Sequence, residues 1–362
     1  MSYYLIYVLF ALVFYCLSFL KESVEKNILV QILLFMISMI LGFRHLDIGT
    51  DSHSYFKIYQ ITNSLIDYFD NGSFGWITDT IEKGFVLSIS FAKSLQLNYN
   101  QFLTVVYLIN LNVILYSVRR CNVDKCIVLI LFFSTFIFIG SYLNVLRQSI
   151  ASSFLLISIG LFIDRSVVKA ILFLFLGATF HISILAMLPI LYISYLVKDK
   201  IESSYFLIVI YLSSIVLSFV SLKFNFINSV QSLFVGNVYY NKIIHYTSTS
   251  GYSAPIFTFS FLLDSLCIVG ILLYLRKNRI VNQNINFLIL SFWASLLMYI
   301  NLSPVGIIAE RMYMLSVFIE FYLLVYFIGF VQPTLKYGVK LVLVLSCFIF
   351  AFKNYLITAT FL

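Results

Sequence analysis

The chain is punctuated by apolar runs about as long as a bilayer is thick, and this feature most limits what it can fold into. A hydrocarbon core of about 30 Å is crossed by roughly 20 apolar residues in a helix, and in lipid each backbone N–H and C=O must be satisfied within the protein. By that rule spans are predicted at 3–20, 27–43, 100–118, 126–143, 148–163, 168–180, 182–197, 204–222, 255–275, 285–303, 312–330 and 341–357. A soluble fold would need a charged surface. Only 10% of the 362 residues are charged while 62% are hydrophobic, against about a quarter charged in ordinary domains. Disorder is excluded by the same shortage. The expected fold class is an all-α polytopic membrane protein, a single integral membrane domain over 1–362 with about 12 transmembrane segments.

The stretch Val167–Val197 is too long for one span, about 46 Å at 1.5 Å per residue, and is expected to divide at Phe180-His181. Charge asymmetry supports the division. Cytoplasmic loops are enriched in Lys and Arg, so Arg119, Arg120 and Lys125 belong inside, as do Arg276, Lys277 and Arg279. Both clusters lie inside only if an even number of crossings separates them, which requires the split. Both termini then lie outside, and most of the 23 Lys and Arg fall inside. Met1 to Leu20 lacks a basic n-region and a small-residue cleavage site, so it reads as a retained span. The net charge of +8 does not point to nucleic acid, because the cations sit in short clusters between apolar runs. The five cysteines lack zinc spacing and suggest neither a disulfide nor a metal framework.

This orientation gathers the polar remainder on one side. His45, His53, His181 and His245 all fall outside, with Arg44, Asp47, Asp51, Arg147, Glu310 and Arg311. Two outer loops are long, 44–99 and 223–254, and loops beyond about 12–15 residues are usually functional or disordered. Within the first, residues 82–97 read as a short amphipathic helix on the outer surface.

Four constellations could carry chemistry. In Arg44-His45-Leu46-Asp47-Ile48-Gly49-Thr50-Asp51-Ser52-His53-Ser54-Tyr55, Gly49 allows a tight turn and Thr50 or Asp51 could cap a helix starting near Ser52. His45, Asp47, Asp51 and His53 have the donor types of a mixed metal site, but neighbours within one turn need not converge, and no metal is expected. In Asn144-Val145-Leu146-Arg147-Gln148-Ser149, a guanidinium at a helix N-terminus suits a phosphate; the plainer reading is interfacial snorkelling. His181, at the predicted break, is either a general base or a structural hydrogen-bonder. Arg311 could be a second cation for a diphosphate, while its neighbour Glu310 fits a plain helix start. Asp264 and Glu320 lie mid-span, with no partner evident from sequence.

Along about 30–197, Arg44-x-x-Asp47-x-Gly49-Thr50-Asp51-x-x-x-Tyr55, Glu82-x-Gly84-Phe85, Arg147-Gln148-x-Ile150-Ala151 and Ala178-x-Phe180-His181-x-Ser183 together resemble the EpsG family of bacterial polysaccharide-assembly proteins, which includes Wzy-type polymerases; the last third matches it only by hydropathy and Arg311-x-Tyr313. The resemblance implies a GT-C-like, metal-independent glycosyltransferase of the bacterial inner membrane whose active site faces outward. Its long outer loops would carry short helices. It implies an undecaprenyl-diphosphate-linked oligosaccharide as substrate, membrane lipids and a chain-length regulator as partners, and no nucleic acid. On this reading Arg44, Arg147 and Arg311 hold the diphosphate, and Asp51, His181 or Asp47 takes the acceptor proton. Gln148, Tyr55, His53 and Glu310 contact substrate. Two alternatives stay open, a lipid-linked oligosaccharide flippase and an O-antigen ligase. A flippase is expected to place charges near the midplane in repeat-related halves, whereas here they gather at span ends.

The orientation makes a direct prediction. In an otherwise cysteine-free chain, Asn278→Cys should resist a membrane-impermeant maleimide applied to intact cells, and His53→Cys should react. Labelling at 278 from outside would invert the topology.

Overall fold

The computed structural model describes residues 3–49, 51–67, 81–134, 138, 144–200, 209, 213, 259–303, 306–329 and 338, and among them no strand occurs. The α-helices are α1 (Tyr3–Leu17), α2 (Val24–Gly42), α3 (Ser52–Ile61), α4 (Lys83–Ser94), α5 (Tyr99–Ser117), α6 (Lys125–Ser134), α7 (Leu146–Ile163), α8 (Val167–Ala178), α9 (Met187–Val197), α10 (Phe259–Lys277), α11 (Gln283–Leu302) and α12 (Gly306–Ile328). Six helical segments are long and apolar enough to cross a membrane: Val24–Gly42, Tyr99–Cys121, Leu146–Ile163, Ile182–Lys200, Gln283–Leu302 and Gly306–Ile328. The predicted loop 223–254 and span 341–357 lie outside the described residues, as does span 204–222 apart from two helical positions. The chain divides into two compact units, one of Met1–Leu185 with Leu324–Leu362 and one of Ala186–Leu323.

In the first unit α5 is central and packs on α2, α6 and α7, while α7 also packs on α8 and α1 on α6. Small and polar residues make these approaches close. A Cβ at Gly42 would lie 2.1 Å from Thr104 Oγ1 and 2.7 Å from the Asn100 carbonyl oxygen, so α2 meets α5 backbone to backbone at that point. Between α5 and α7, Ser153 Oγ donates to Asn110 Oδ1 (2.9 Å) and Asn110 Nδ2 donates to Ser149 Oγ (3.4 Å). Ser158 Oγ donates to the Ala170 carbonyl of α8 (2.9 Å). Without water nearby, helix association in a membrane relies on such close packing and interhelical bonds. In the second unit α9 packs on α11, whose start is capped by Asn282 Oδ1, accepting from the N–H groups of Asn284 and Ile285 (2.9 and 3.1 Å).

The stretch 167–197 is broken where the sequence predicts. The N–H groups of Phe180 and His181 both donate to the Gly177 carbonyl (3.0 Å each), and Thr179 Oγ1 donates to the Leu176 carbonyl (2.7 Å). These turn groups satisfy the last carbonyls of α8 and end it. A 3₁₀ segment Ile182–Ala186 leads into α9, whose Pro189 sits in the first turn, where a missing N–H costs nothing.

The stretch 44–99 carries two short helices, α3 and α4. Gly49 makes its turn with φ 96°, a left-handed conformation that favours glycine. The expected Asp51 cap is not formed: Asp51 precedes α3 but its side chain makes no capping hydrogen bond. Instead Ser52 Oγ donates back to the Ile48 carbonyl (2.7 Å) and closes the turn itself. The Lys93 ammonium of α4 donates to the Gln60 and Thr62 carbonyls (3.1 and 2.5 Å), satisfying the end of α3 with a cation at its negative pole. Thus α3 and α4 are tied together.

The Gly42 contact is testable. Gly42→Val should lower the melting temperature in detergent, at a cost of about 1–3 kcal/mol. Gly270→Val, at a position with open space for a side chain, should leave it unchanged. Equal melting of both variants would contradict this packing.

Candidate functional site

Three helix boundaries of the first unit supply the site. Glu82 is the extended residue (φ −61°, ψ 132°) before α4, Arg147 is the second residue of α7, and His181 lies in the break after α8. Groups at a helix boundary are not committed to intrahelical ladders, so they can face one another. The carbonyl of Glu82 accepts from Phe85 N–H and Val86 N–H (3.1 and 3.4 Å), starting α4. Its side chain makes no cap and leaves the helix axis instead.

One backbone contact brings the three together. The Gly84 N–H donates to the Thr179 carbonyl at 2.8 Å, docking the start of α4 on the break after α8. A Cβ at Gly84 would lie 2.4 Å from Thr179 Oγ1 and 2.7 Å from the Thr179 carbonyl oxygen, so only glycine permits this approach. The bond joins the residue two after Glu82 to the residue two before His181, placing those two side chains opposite each other.

The Glu82 carboxylate then serves two partners, one with each oxygen. Oε1 lies 3.0 Å from His181 Nδ1, and Oε2 pairs with Arg147 Nη1. The Glu82 and Arg147 side chains are 20% and 22% exposed and His181 is buried. Burial works against the charged form of Glu82. The hydrogen bond to His181 and the positive charge of Arg147 outweigh it and hold the carboxyl at about 2, well below its ordinary 4.5. An ionised carboxylate only accepts hydrogen bonds, so in the neutral imidazole His181 Nδ1 carries the proton in this contact and Nε2 carries the lone pair. This is the arrangement by which a carboxylate fixes the tautomer of a catalytic imidazole. Arg147 gives Glu82 one terminal nitrogen, and its Nε is buried without a hydrogen-bond acceptor among the described residues.

Of the predicted site residues, the structure joins Arg147 and His181, and sets Tyr55 beside Arg147. Tyr55 is 4% exposed, with its ring centroid 6.0 Å from the guanidinium carbon. Burial pushes the Tyr55 hydroxyl up, the charge of Arg147 opposes this, and the charge of Asp51 adds to the rise. Arg44 is turned inward, 7% exposed; its Nη2 donates to Ser52 Oγ (3.1 Å) and its guanidinium carbon lies 5.7 Å from the Tyr107 ring centroid. In this position Arg44 holds the turn. Asp47 is exposed and held between His53 Nε2 (2.9 Å) and His45 Nδ1 (2.8 Å); the hydrogen bond to His53 and the charge of His45 lower its carboxyl below the ordinary range. Gln148 is buried in α7. Glu310 and Arg311 stand early in α12, in the second unit, Glu310 exposed and Arg311 half-buried. Among the described residues no group of three or more His, Cys, Asp and Glu is arranged to hold a metal ion. His245 lies outside the described residues.

Glu82 is absent from the predicted set, though its string Glu82-x-Gly84-Phe85 is legible. In a chain with 15 acidic residues, a glutamate two positions before a glycine at a helix start was the available signal.

Two predictions follow from the geometry. Because the folded value of Glu82 lies below its unfolded one, its ionised form contributes stability above about pH 4.5, lost as pH falls through about 2. The melting-temperature difference between wild type and Glu82→Gln should therefore persist from about pH 8 to 5 and shrink only below that; a difference that vanishes near neutrality would contradict the depressed value. Gly84→Ala should displace α4 from Thr179 and separate Glu82 from His181. The melting temperature in detergent should drop, since a Cβ at Gly84 would lie 2.4 Å from Thr179 Oγ1 and such overpacking costs about 1–3 kcal/mol, while the protein still inserts, as read by membrane fractionation; an unchanged melting temperature would contradict this docking.

No curated protein and no solved structure matches the chain. A family model does match, over residues 27–361, and with that span covered nearly end to end the chain belongs to the EpsG family, whose members are Wzy-like polymerases.

Proposed function

We propose that the chain is a surface-polysaccharide polymerase, joining undecaprenyl-diphosphate-linked oligosaccharide repeat units by glycosyl transfer on the outer face of the bacterial inner membrane. The observation that carries this reading is the Glu82 carboxylate shared between Arg147 and His181. It supplies a base of fixed tautomer beside a cation, the two groups that transfer from a diphosphate carrier requires. With the reading goes a GT-C-like bundle of about 12 spans.

In the proposed reaction the growing glycan leaves one carrier for the non-reducing end of a newly arrived lipid-linked unit. The acceptor hydroxyl oxygen bonds to the anomeric carbon as the bond from that carbon to the diphosphate breaks. The hydroxyl proton passes to His181 Nε2, and the undecaprenyl diphosphate departs as an anion. Arg147 stabilises its developing charge. Electrostatic stabilisation of this kind is commonly the largest single contribution to rate. His181 is favoured over Asp51 as base because Glu82 orients it. Asp47 is a poorer candidate, since its carboxylate already serves two imidazoles.

The test is complementation of a polymerase-deleted host. Wild type restores a ladder of polymer lengths. Arg147→Ala and His181→Ala should each leave a single repeat on the lipid, with rates reduced about 10²–10³-fold, while Asp51→Asn should retain the ladder. A full ladder from Arg147→Ala would remove the diphosphate role. In a strain lacking this chain alone, lipid-linked single repeats displayed outside support a polymerase. Absence of any transferred glycan indicates a ligase, and repeats stalled inside indicate a flippase.

A further inference from the structure

Tyr55 is a polar residue in an outer-loop helix, where sequence alone suggests contact with substrate. Its burial argues otherwise: at 4% exposure it has no face to offer a bulky lipid-linked glycan. What it faces is Arg147, whose guanidinium carbon lies 6.0 Å from its ring centroid. Cations within about 6 Å of an aromatic ring are attracted by the negative face of its quadrupole, more strongly when desolvated. The ring is itself held. It meets Phe85 of α4 edge-on at 5.6 Å, and Phe85 meets Phe102 of α5 at 6.3 Å. Phe85 is three residues past Glu82, so one aromatic stack orders both the carboxylate and the ring beside the same guanidinium.

We propose that Tyr55 is a positioning residue, its ring fixing one side of Arg147 while Glu82 fixes Nη1, so that the remaining donors of the guanidinium are presented to a diphosphate. The proposal rests on the reading of Arg147 as a diphosphate contact. It makes α3, a helix outside the spans, a determinant of how tightly the carrier diphosphate is held. No bond is made or broken by Tyr55; it acts only through Arg147.

The experiment titrates the full chain in lipid nanodiscs with inorganic pyrophosphate. Tyr55→Phe keeps the ring and should bind like wild type, Tyr55→Leu should bind about tenfold more weakly, and Arg147→Ala should not bind. Rescue by Phe but not Leu separates positioning by the ring from loss of the hydroxyl. Because Tyr55→Leu could also loosen the stack, a second series places phenylalanines of increasing ring fluorination at position 55, which weakens the negative face with little change of shape. Stepwise loss of affinity supports the proposal. Equal affinity across the fluorinated series, with Arg147→Ala still unable to bind, overturns the role of Tyr55 and leaves the diphosphate reading standing. Wild-type affinity in Arg147→Ala overturns the diphosphate reading itself.

Discussion

The Glu82 carboxylate is the interaction on which the site depends. In a chain with 10% charged residues, largely surrounded by apolar side chains, an ionised group is costly unless its charge is matched. Arg147 and His181 are both held largely away from solvent, and Glu82 matches both, one oxygen to each. Leaving a buried charged donor without its acceptor costs about 1–3 kcal/mol or more. The carboxylate therefore stabilises the site and organises it at once, setting the imidazole tautomer and one face of the guanidinium.

The scaffold serves that contact through interruptions of helices. Each of the three residues lies where a helix starts or stops, and the Gly84–Thr179 backbone bond brings two of those interruptions together. The helices behind them are held by backbone proximity at Gly42 and by the Asn110–Ser149–Ser153 bonds between α5 and α7. Spans carrying polar groups at their ends reconcile a lipid-facing exterior with a polar site. The exposed apolar faces of helices such as α2, with Ile28, Ile32 and Phe35 outward, are what lipid contact requires.

Much of this was legible in the residues. The run lengths located the described spans, the excess length of 167–197 located the break, and the string around Gly49 located the turn and the start of α3. Arg147 and His181 stood out because ionisable groups near membrane helices are rare. What could not be read is direction. Arg44 and Tyr55 sit in polar strings that suggest exposure, yet both are buried, Arg44 against the Tyr107 ring of α5 and Tyr55 against Phe85 of α4. Asp51 has the residue type of a cap but not the backbone angles. Glu82 gains its role only through contact with a turn near residue 180, almost a hundred positions away, and no local pattern encodes that meeting. Arg311 belongs to another compact unit, so its spacing from Arg147 is not a local property of either string.

The most direct test is the position of the imidazole proton on His181. With ¹⁵N-histidine incorporated and the resonance assigned by comparison with His181→Ala, nitrogen NMR at a pH of about 8.5, where an ordinary imidazole is neutral, should show the proton on Nδ1. It should lose that preference in Glu82→Gln. A wild-type His181 protonated on Nε2 alone, or a tautomer indifferent to Glu82, would contradict the shared carboxylate.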